Sequence, residues 1–324
     1  MNATHRAGWK SLWRELVDQQ TCILFFLAFF ILSALFVPKF ANVENLANIA
    51  VQSSELIIMA CGLTFVFLNG GIDFSMTAVL ALCSVIGAKI MTGLENETLG
   101  VILGVLAMLI TALIIGCING VSVTRLKMPS FIATMATQLV FAGVALTMTQ
   151  SKTIGGVPQA FNQIAQGSFL GADIPVYITL VVVAVCLYLF HFSTYGKRVL
   201  AVGTNHKASA ISGLNVKGTI FSLFVISSLC SVVSCIIMSA RLGAGVPALG
   251  KDMLMDVVAA VVIGGTSVSG GKGSIIGSVI GAVLVVMLNN SLNLLGIDWY
   301  YIMACKGAVI LLVTLLAVMR EKAS

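Results

Sequence analysis

The chain has 324 residues; 59% are hydrophobic, only 9% are charged, and the formal net charge is +6. A soluble domain carries roughly 25% charged residues, so this chain lacks the charged skin that a soluble protein needs. It is also far too apolar to be disordered, which leaves a polytopic membrane protein.

Residues 1–20 predict a short cytoplasmic amphipathic segment at the membrane interface. Trp9, Leu12, Trp13, Leu16 and Val17 form an i, i+3, i+4, i+7, i+8 stripe. Lys10, Arg14, Glu15 and Asp18 lie off it, and tryptophan beside basic residues suits contact with membrane lipid. A cleavable signal with its apolar core at 21–37 is the other reading. The length of that stretch opposes it, as does Pro38-Lys39-Phe40, which offers no small-residue cleavage site.

Long uncharged intervals follow. Asp18–Lys39, Glu97–Arg125, Lys127–Lys152, Asp173–Lys197, Lys217–Arg241 and Lys272–Asp298 each enclose 20 or more uncharged residues. That is enough to cross ~30 Å of hydrocarbon at ~1.5 Å per residue. With the shorter apolar intervals, about ten transmembrane helices are expected in an all-α fold: 21–37, 49–69, 73–92, 99–123, 129–149, 174–194, 218–240, 253–267, 274–296 and 300–319. Cytoplasmic N- and C-termini put twelve Lys and Arg inside. Lys39, Lys89, Lys152, Arg241 and Lys251 then lie outside, and Lys306 falls within the last span. This is the bias that the positive-inside rule requires, and the opposite orientation inverts it. Residues 21–319 read as one membrane domain and 320–324 as a cytoplasmic tail.

Ionisable and amide groups at membrane depth are the candidate functional residues. In chain order they are Glu55, Asn69, Asp73, Asn119, Gln138, Asn289, Asn290 and Asn293. Each has a structural reading beside the functional one: a paired charge, an interhelical amide bond or a helix cap. Gly70-Gly71-Ile72-Asp73-Phe74-Ser75 joins two spans with almost no loop. Glycines permit that reversal, and a broken backbone at membrane depth is tolerated where it lines an enclosed cavity. Amides both donate and accept, so these could line a route for a hydroxyl-rich solute.

Gly264 to Ser274 resembles a phosphate-binding loop but fails it. Thr266 stands where the first glycine is needed, Gly273 follows Lys272 where Ser or Thr is needed, and no strand precedes it. It reads instead as a cytoplasmic turn, after which Gly273, Gly277 and Gly281 give a smooth face for helix packing. Eight cysteines scattered through apolar segments read as packing residues, with no metal site. His5, His191 and His206 complete no catalytic constellation, so enzymatic chemistry is not expected. The stretch 195–217 is the longest cytoplasmic loop. Its small residues form a surface that could enter a partner's groove.

Four motifs, in order over about residues 20 to 319, resemble the permease subunits of bacterial ABC importers for monosaccharides of the ribose, xylose, arabinose and galactose type. They are Gly62-Leu63-Thr64 through Gly70-Gly71-Ile72-Asp73-Phe74-Ser75, then Pro129 to Thr134, then Val262 to Gly273, and finally Leu288-Asn289-Asn290-Ser291-Leu292-Asn293-Leu294-Leu295-Gly296. The resemblance implies a bacterial inner-membrane permease paired with a second copy or a related permease chain. It implies a separate ABC ATPase subunit that binds ATP and Mg, and a periplasmic sugar-binding protein. No nucleic acid and no cofactor of the chain's own are implied. Gly203, Asn205, His206, Ala208, Ser212 and Gly213 would belong to the loop that couples the ATPase to the spans. His206 stands where the family usually has Glu, and Glu55 where the ribose permease has an apolar residue.

Overall fold

The computed structural model describes residues 19–308 and Leu311. The amphipathic segment expected before residue 19, and the end of the last expected span with its tail, lie outside these residues. Twelve helices follow in chain order among the described residues, before a helical segment at 299–308: α1 Gln20–Phe36, α2 Val43–Leu68, α3 Met76–Gly93, α4 Glu97–Thr124, α5 Ser130–Thr149, α6 Gln159–Gln166, α7 Ile174–Leu187, α8 Thr194–Thr204, α9 His206–Ile211, α10 Val216–Leu242, α11 Met253–Ile263 and α12 Ile275–Leu294. A π-helical turn, Tyr188–Phe192, prolongs α7. The only extended structure among these residues is two ribbons of two-residue strands. Ile154–Gly155 (β1) pairs with Ala244–Gly245 (β4), and Ser168–Phe169 (β2) pairs with Ala172–Asp173 (β3).

Seven of these helices are long and apolar enough to cross a membrane: α2, α3, α4, α5, α7 with its π turn, α10 and α12. The all-α polytopic class is therefore correct. α1 and α11 are apolar but shorter. The expected span at 253–267 is cut short because α11 ends at Ile263 and Gly265, at φ +81°, turns the chain. Eleven residues reach only ~16 Å, about half the hydrocarbon thickness. The stretch 195–217 is largely helical: it holds α8 and α9, and α10 begins at Val216.

α2 is the central element. Most of its length from Ser53 onward is buried, against α10, α12, α7 and α11. α10 packs in turn on α4 and α3. By contrast, α4, α5 and α7 leave broad apolar faces outward, including Leu139, Val140, Ile110 and Val181. In water such faces would be a liability; against lipid they are the expected solvent contact.

Small residues set the closest approaches. A Cβ on Gly62 would lie 2.8 Å from Cys230 Cβ, so α2 meets α10 nearly backbone to backbone. Gly277 and Gly281 bring α12 against the backbone of Ala260 on α11 and of its C-cap Gly264, and Gly273 sits under Thr266 and Leu68. These contacts hold the half-length α11 in the bundle. Gly277→Val should force α11 and α12 apart and cost ~3 kcal/mol or more. Gly143→Val, where a side chain meets open space, should be nearly neutral. Thermal unfolding of the two variants in mild detergent checks this difference.

Candidate functional site

The break between α2 and α3 lies inside the bundle. α2 ends at Leu68, with Asn69 as its C-cap, and Gly70 at φ +71° begins the reversal. The chain then turns back among the helices. Asp73 is fully buried, and its Oδ2 accepts from Ser227 Oγ of α10 at 2.7 Å. Ser227 is level with Gly62, whose ideal Cβ would lie 3.2 Å from Ser227 Cα. Gly62 is about 9 Å along the axis from the end of α2. The carboxylate therefore sits well below the end of that helix.

The exposed backbone of the break is satisfied from α5. Ile72 N–H donates to Ser130 Oγ at 3.1 Å and Phe74 N–H to Thr134 Oγ1 at 3.1 Å, while Thr134 Oγ1 donates to Ile72 O. Asp73 Oδ1 accepts from the Ser75 N–H at 2.9 Å and the Ser75 hydroxyl at 2.6 Å. Asn119 Nδ2 of α4 donates to that same hydroxyl at 2.7 Å, and Asn119 Oδ1 accepts from Thr137 Oγ1 of α5 at 2.8 Å. Asp73 and Asn119 thus belong to one polar chain through α10, the break, α4 and α5. Gln138, next to Thr137, is half-buried.

The other candidates fall elsewhere. Glu55 is buried near the middle of α2, and its Oε2 accepts from Arg241 Nη2 at 3.3 Å. Asn290 and Asn45 exchange amide hydrogen bonds at 2.8 and 3.0 Å, tying α12 to the start of α2. Lys306 Nζ donates to Asp256 Oδ2 at 2.9 Å, and Asn289 Nδ2 reaches the same oxygen at 3.5 Å. These residues join α11, α12 and the helical segment at 299–308. Asn293 is exposed. The eight candidates therefore do not form one site: Asp73 and Asn119 share a network, while Glu55 and the α12 amides stand apart from it.

Asn69 belongs to a second cluster. Three turns meet at the end of α2. Asn69 Oδ1 is 3.1 Å from His206 Nε2, at the start of α9. Gly271 N–H donates to Leu68 O at 2.8 Å. Gly203 fits against the same carbonyl with no room for a Cβ, and Gly270 fits against Gly70 and Asn69. A half-open cavity of about 120 Å³ lies beside them, lined by Asn69, His206 and Ser130 on one side and by Ile220, Leu223 and Phe224 on the other. α9 itself is capped by Asn205, whose Oδ1 accepts from Ala208 N–H at 2.9 Å. Ser209 Oγ donates to Ala201 O and fixes α9 on α8. Gly213, at φ +79°, ends the motif, and Ala208, Ser212 and Gly213 face outward.

Ile211 and Ser227 are among the residues that the sequence did not single out. Ile211 is 89% exposed at the tip of α9, a bare apolar side chain among small residues. Its position beside Ser212-Gly213 was the available signal. Ser227 carried none, since only the fold brings it to Asp73.

Residues 45–318 match the family described as branched-chain amino acid transport system / permease component. The chain belongs to that family. It is 39% identical over 282 residues to the ribose import permease protein of Bacillus subtilis, covering 86% of each chain. It is 37% identical over 306 residues to the ribose import permease protein of Haemophilus influenzae, covering 93% of each. The D-allose transport system permease protein of Escherichia coli is 33% identical over 273 residues, 84% of this chain and 82% of that relative. No solved structure matches the chain. The four motifs thus pointed to the right relatives. The Asp73 network holds the open backbone of the break in place inside the bundle. Asp73→Leu should strand the Ser75 and Ser227 hydroxyls and the Ser75 N–H, costing about 3 kcal/mol or more at ~1–3 kcal/mol each. Asp73→Asn, which keeps one acceptor, should cost about half as much. Detergent melting curves of the two variants test the order.

Proposed function

We propose that this chain is the transmembrane permease subunit of an ATP-binding-cassette importer in a bacterial inner membrane, and that it passes a monosaccharide inward. The observation that carries this is the match, over most of both chains, to permeases named for ribose and allose. About ten membrane helices, the half-length α11 among them, with cytoplasmic termini are the proposed topology. It is supported by the meeting of the three turns at 69–71, 203–206 and 269–271, which the alternation of spans assigns to one side.

The chain supplies the pathway, and a separate ATPase subunit binds ATP and Mg and performs the hydrolysis. The α8–α9 motif is the coupling element, with Gly203, Asn205, His206, Ala208, Ser212 and Gly213 forming its frame. Ile211 fills a groove on the ATPase. A push on α9 passes through Gly203 and His206 to the end of α2. From there the break and Asp73 carry it to α10, α4 and α5. Glu55, Asn69, Asp73, Asn119, Gln138, Asn289, Asn290 and Asn293 are the proposed polar lining and hinges of the route. A sugar-binding protein delivers the solute at the opposite face, where the Phe169–Leu170 hairpin tip is exposed. A second permease copy or related chain completes the pathway, and lipid covers the outer apolar faces.

A second reading has its own support. The family description names branched-chain amino acids, so an amino-acid importer is the alternative substrate class. Uptake of D-ribose, D-allose and isoleucine by cells expressing the chain with its partners separates the two.

The assembly itself is tested by affinity purification from native membranes. An ATPase subunit should co-purify, and its absence under mild cross-linking would contradict the proposal. Ile211→Asp should cut ATPase recovery about tenfold or more, because burying an isoleucine contributes ~1.5–3 kcal/mol, while leaving the permease inserted and stable. Unchanged recovery would remove Ile211 from the interface.

A further inference from the structure

The sequence places Arg241 in an outer loop, yet it reaches into the bundle. It occupies the last turn of α10, and its side chain is 36% exposed. Glu55, its partner on α2, is 4% exposed. The pair is therefore asymmetric, with a wet guanidinium and a dry carboxylate. Only one carboxylate oxygen is used. Oε2 accepts from Arg241 Nη2, whereas Oε1 is buried with no hydrogen-bond partner among the described residues, as is Ser53 Oγ close by in sequence. A buried acceptor without a donor is rare and calls for an explanation. An ionisable group near the middle of a span is costly for the same reason.

The surroundings make Arg241 part of an outer cap. Gln166 Nε2 of α6 donates to Arg241 O at 3.4 Å. Just beyond, Gly245 pairs with Ile154 in the β1–β4 ribbon, and Val246 N–H donates to Ser84 Oγ of α3 at 3.0 Å. Deeper, Ser234 Oγ donates to the Glu55 backbone carbonyl at 3.0 Å. The α2–α10 seam is thus fixed at the Glu55 backbone by a neutral bond and closed at the cap by the Glu55–Arg241 ion pair.

We propose that Glu55 and Arg241 form an outer latch of the pathway, and that the hydroxyls of a neutral sugar open it by donating to the Glu55 carboxylate. This rests on the importer function above. Arg241 can leave toward water more easily than Glu55, because its side chain is 36% exposed. Glu55 cannot be left alone in the bundle and holds the latch shut until other donors replace the guanidinium. Oε1 is the free acceptor for the first of them. A vicinal diol suits the two carboxylate oxygens, so Glu55 both gates and selects.

The test uses the assembled complex of permease, ATPase and binding protein in lipid nanodiscs and proteoliposomes. The latch stabilises the resting state, so weakening it shifts the population toward the active one. ATPase turnover without binding protein should rise about tenfold in Arg241→Ala and in Glu55→Gln, the factor expected for losing one charge-assisted hydrogen bond. Arg241→Lys, which keeps a cationic donor, should stay near the wild-type rate. Glu55→Gln should also raise KM for D-ribose or D-allose uptake more than it lowers kcat. Unchanged turnover without binding protein in Glu55→Gln, which preserves side-chain shape, would overturn the latch even if Arg241→Ala fails to assemble. Absence of sugar uptake in the wild-type complex would instead defeat the importer function, and the latch with it.

Discussion

Hydrocarbon offers no hydrogen bonds, so every open backbone group inside a membrane domain must find a partner within the protein. The segment from Asn69 to Ser75 is where this constraint bears hardest. α2 stops at Leu68, the chain reverses, and Asp73 re-enters the bundle before α3 begins. Ser130 and Thr134 take over the ladder for the Ile72 and Phe74 amides. Asp73 gathers the Ser75 amide and two serine hydroxyls, and Asn119 extends the chain to α5. No cation touches Asp73 in these contacts. Its oxygens are met by neutral donors, which lets one side chain join several elements without the fixed geometry of a buried ion pair.

In the proposed transport cycle the same short segment would carry motion between its two ends. Its far end, at Asn69, is bound up with Gly203, His206 and the Gly270-Gly271 turn, which lie on the elements nearest the proposed ATPase. Its near end holds α10, α4 and α5. Packed interfaces behave as alternative fits rather than as continuous springs. A shift of α9 is thus expected to move the break as a unit. The cavity between Asn69, Ser130 and Phe224 gives it room.

Much of the fold was legible because charges are scarce. Their spacing marked the long spans, since a span is simply where charges cannot be. It misjudged α11, where composition continues past Ile263 but Gly265 turns the backbone. The candidate site was legible only in part. Asp73 announced itself as a carboxylate in a glycine-rich break, and Glu55 as a charge mid-span. Their partners did not, because Ser227 and Arg241 lie more than 150 positions away and look like ordinary span and loop residues. Nor could the sequence separate amides that fasten helices, such as Asn290 against Asn45, from amides free to meet a solute. Side-chain amides look the same until the helices are placed around them.

The central claim is that the chain is a passive pathway driven by a separate ATPase. The most direct measurement is uptake of labelled D-ribose by proteoliposomes holding the purified complex and its binding protein. ATP supply and the ion gradient are varied independently. Uptake that follows ATP and ignores an ionophore is the predicted result. Uptake that collapses with the ionophore and ignores ATP would contradict it, and would turn Glu55 and Asp73 into candidate ion sites of a secondary transporter.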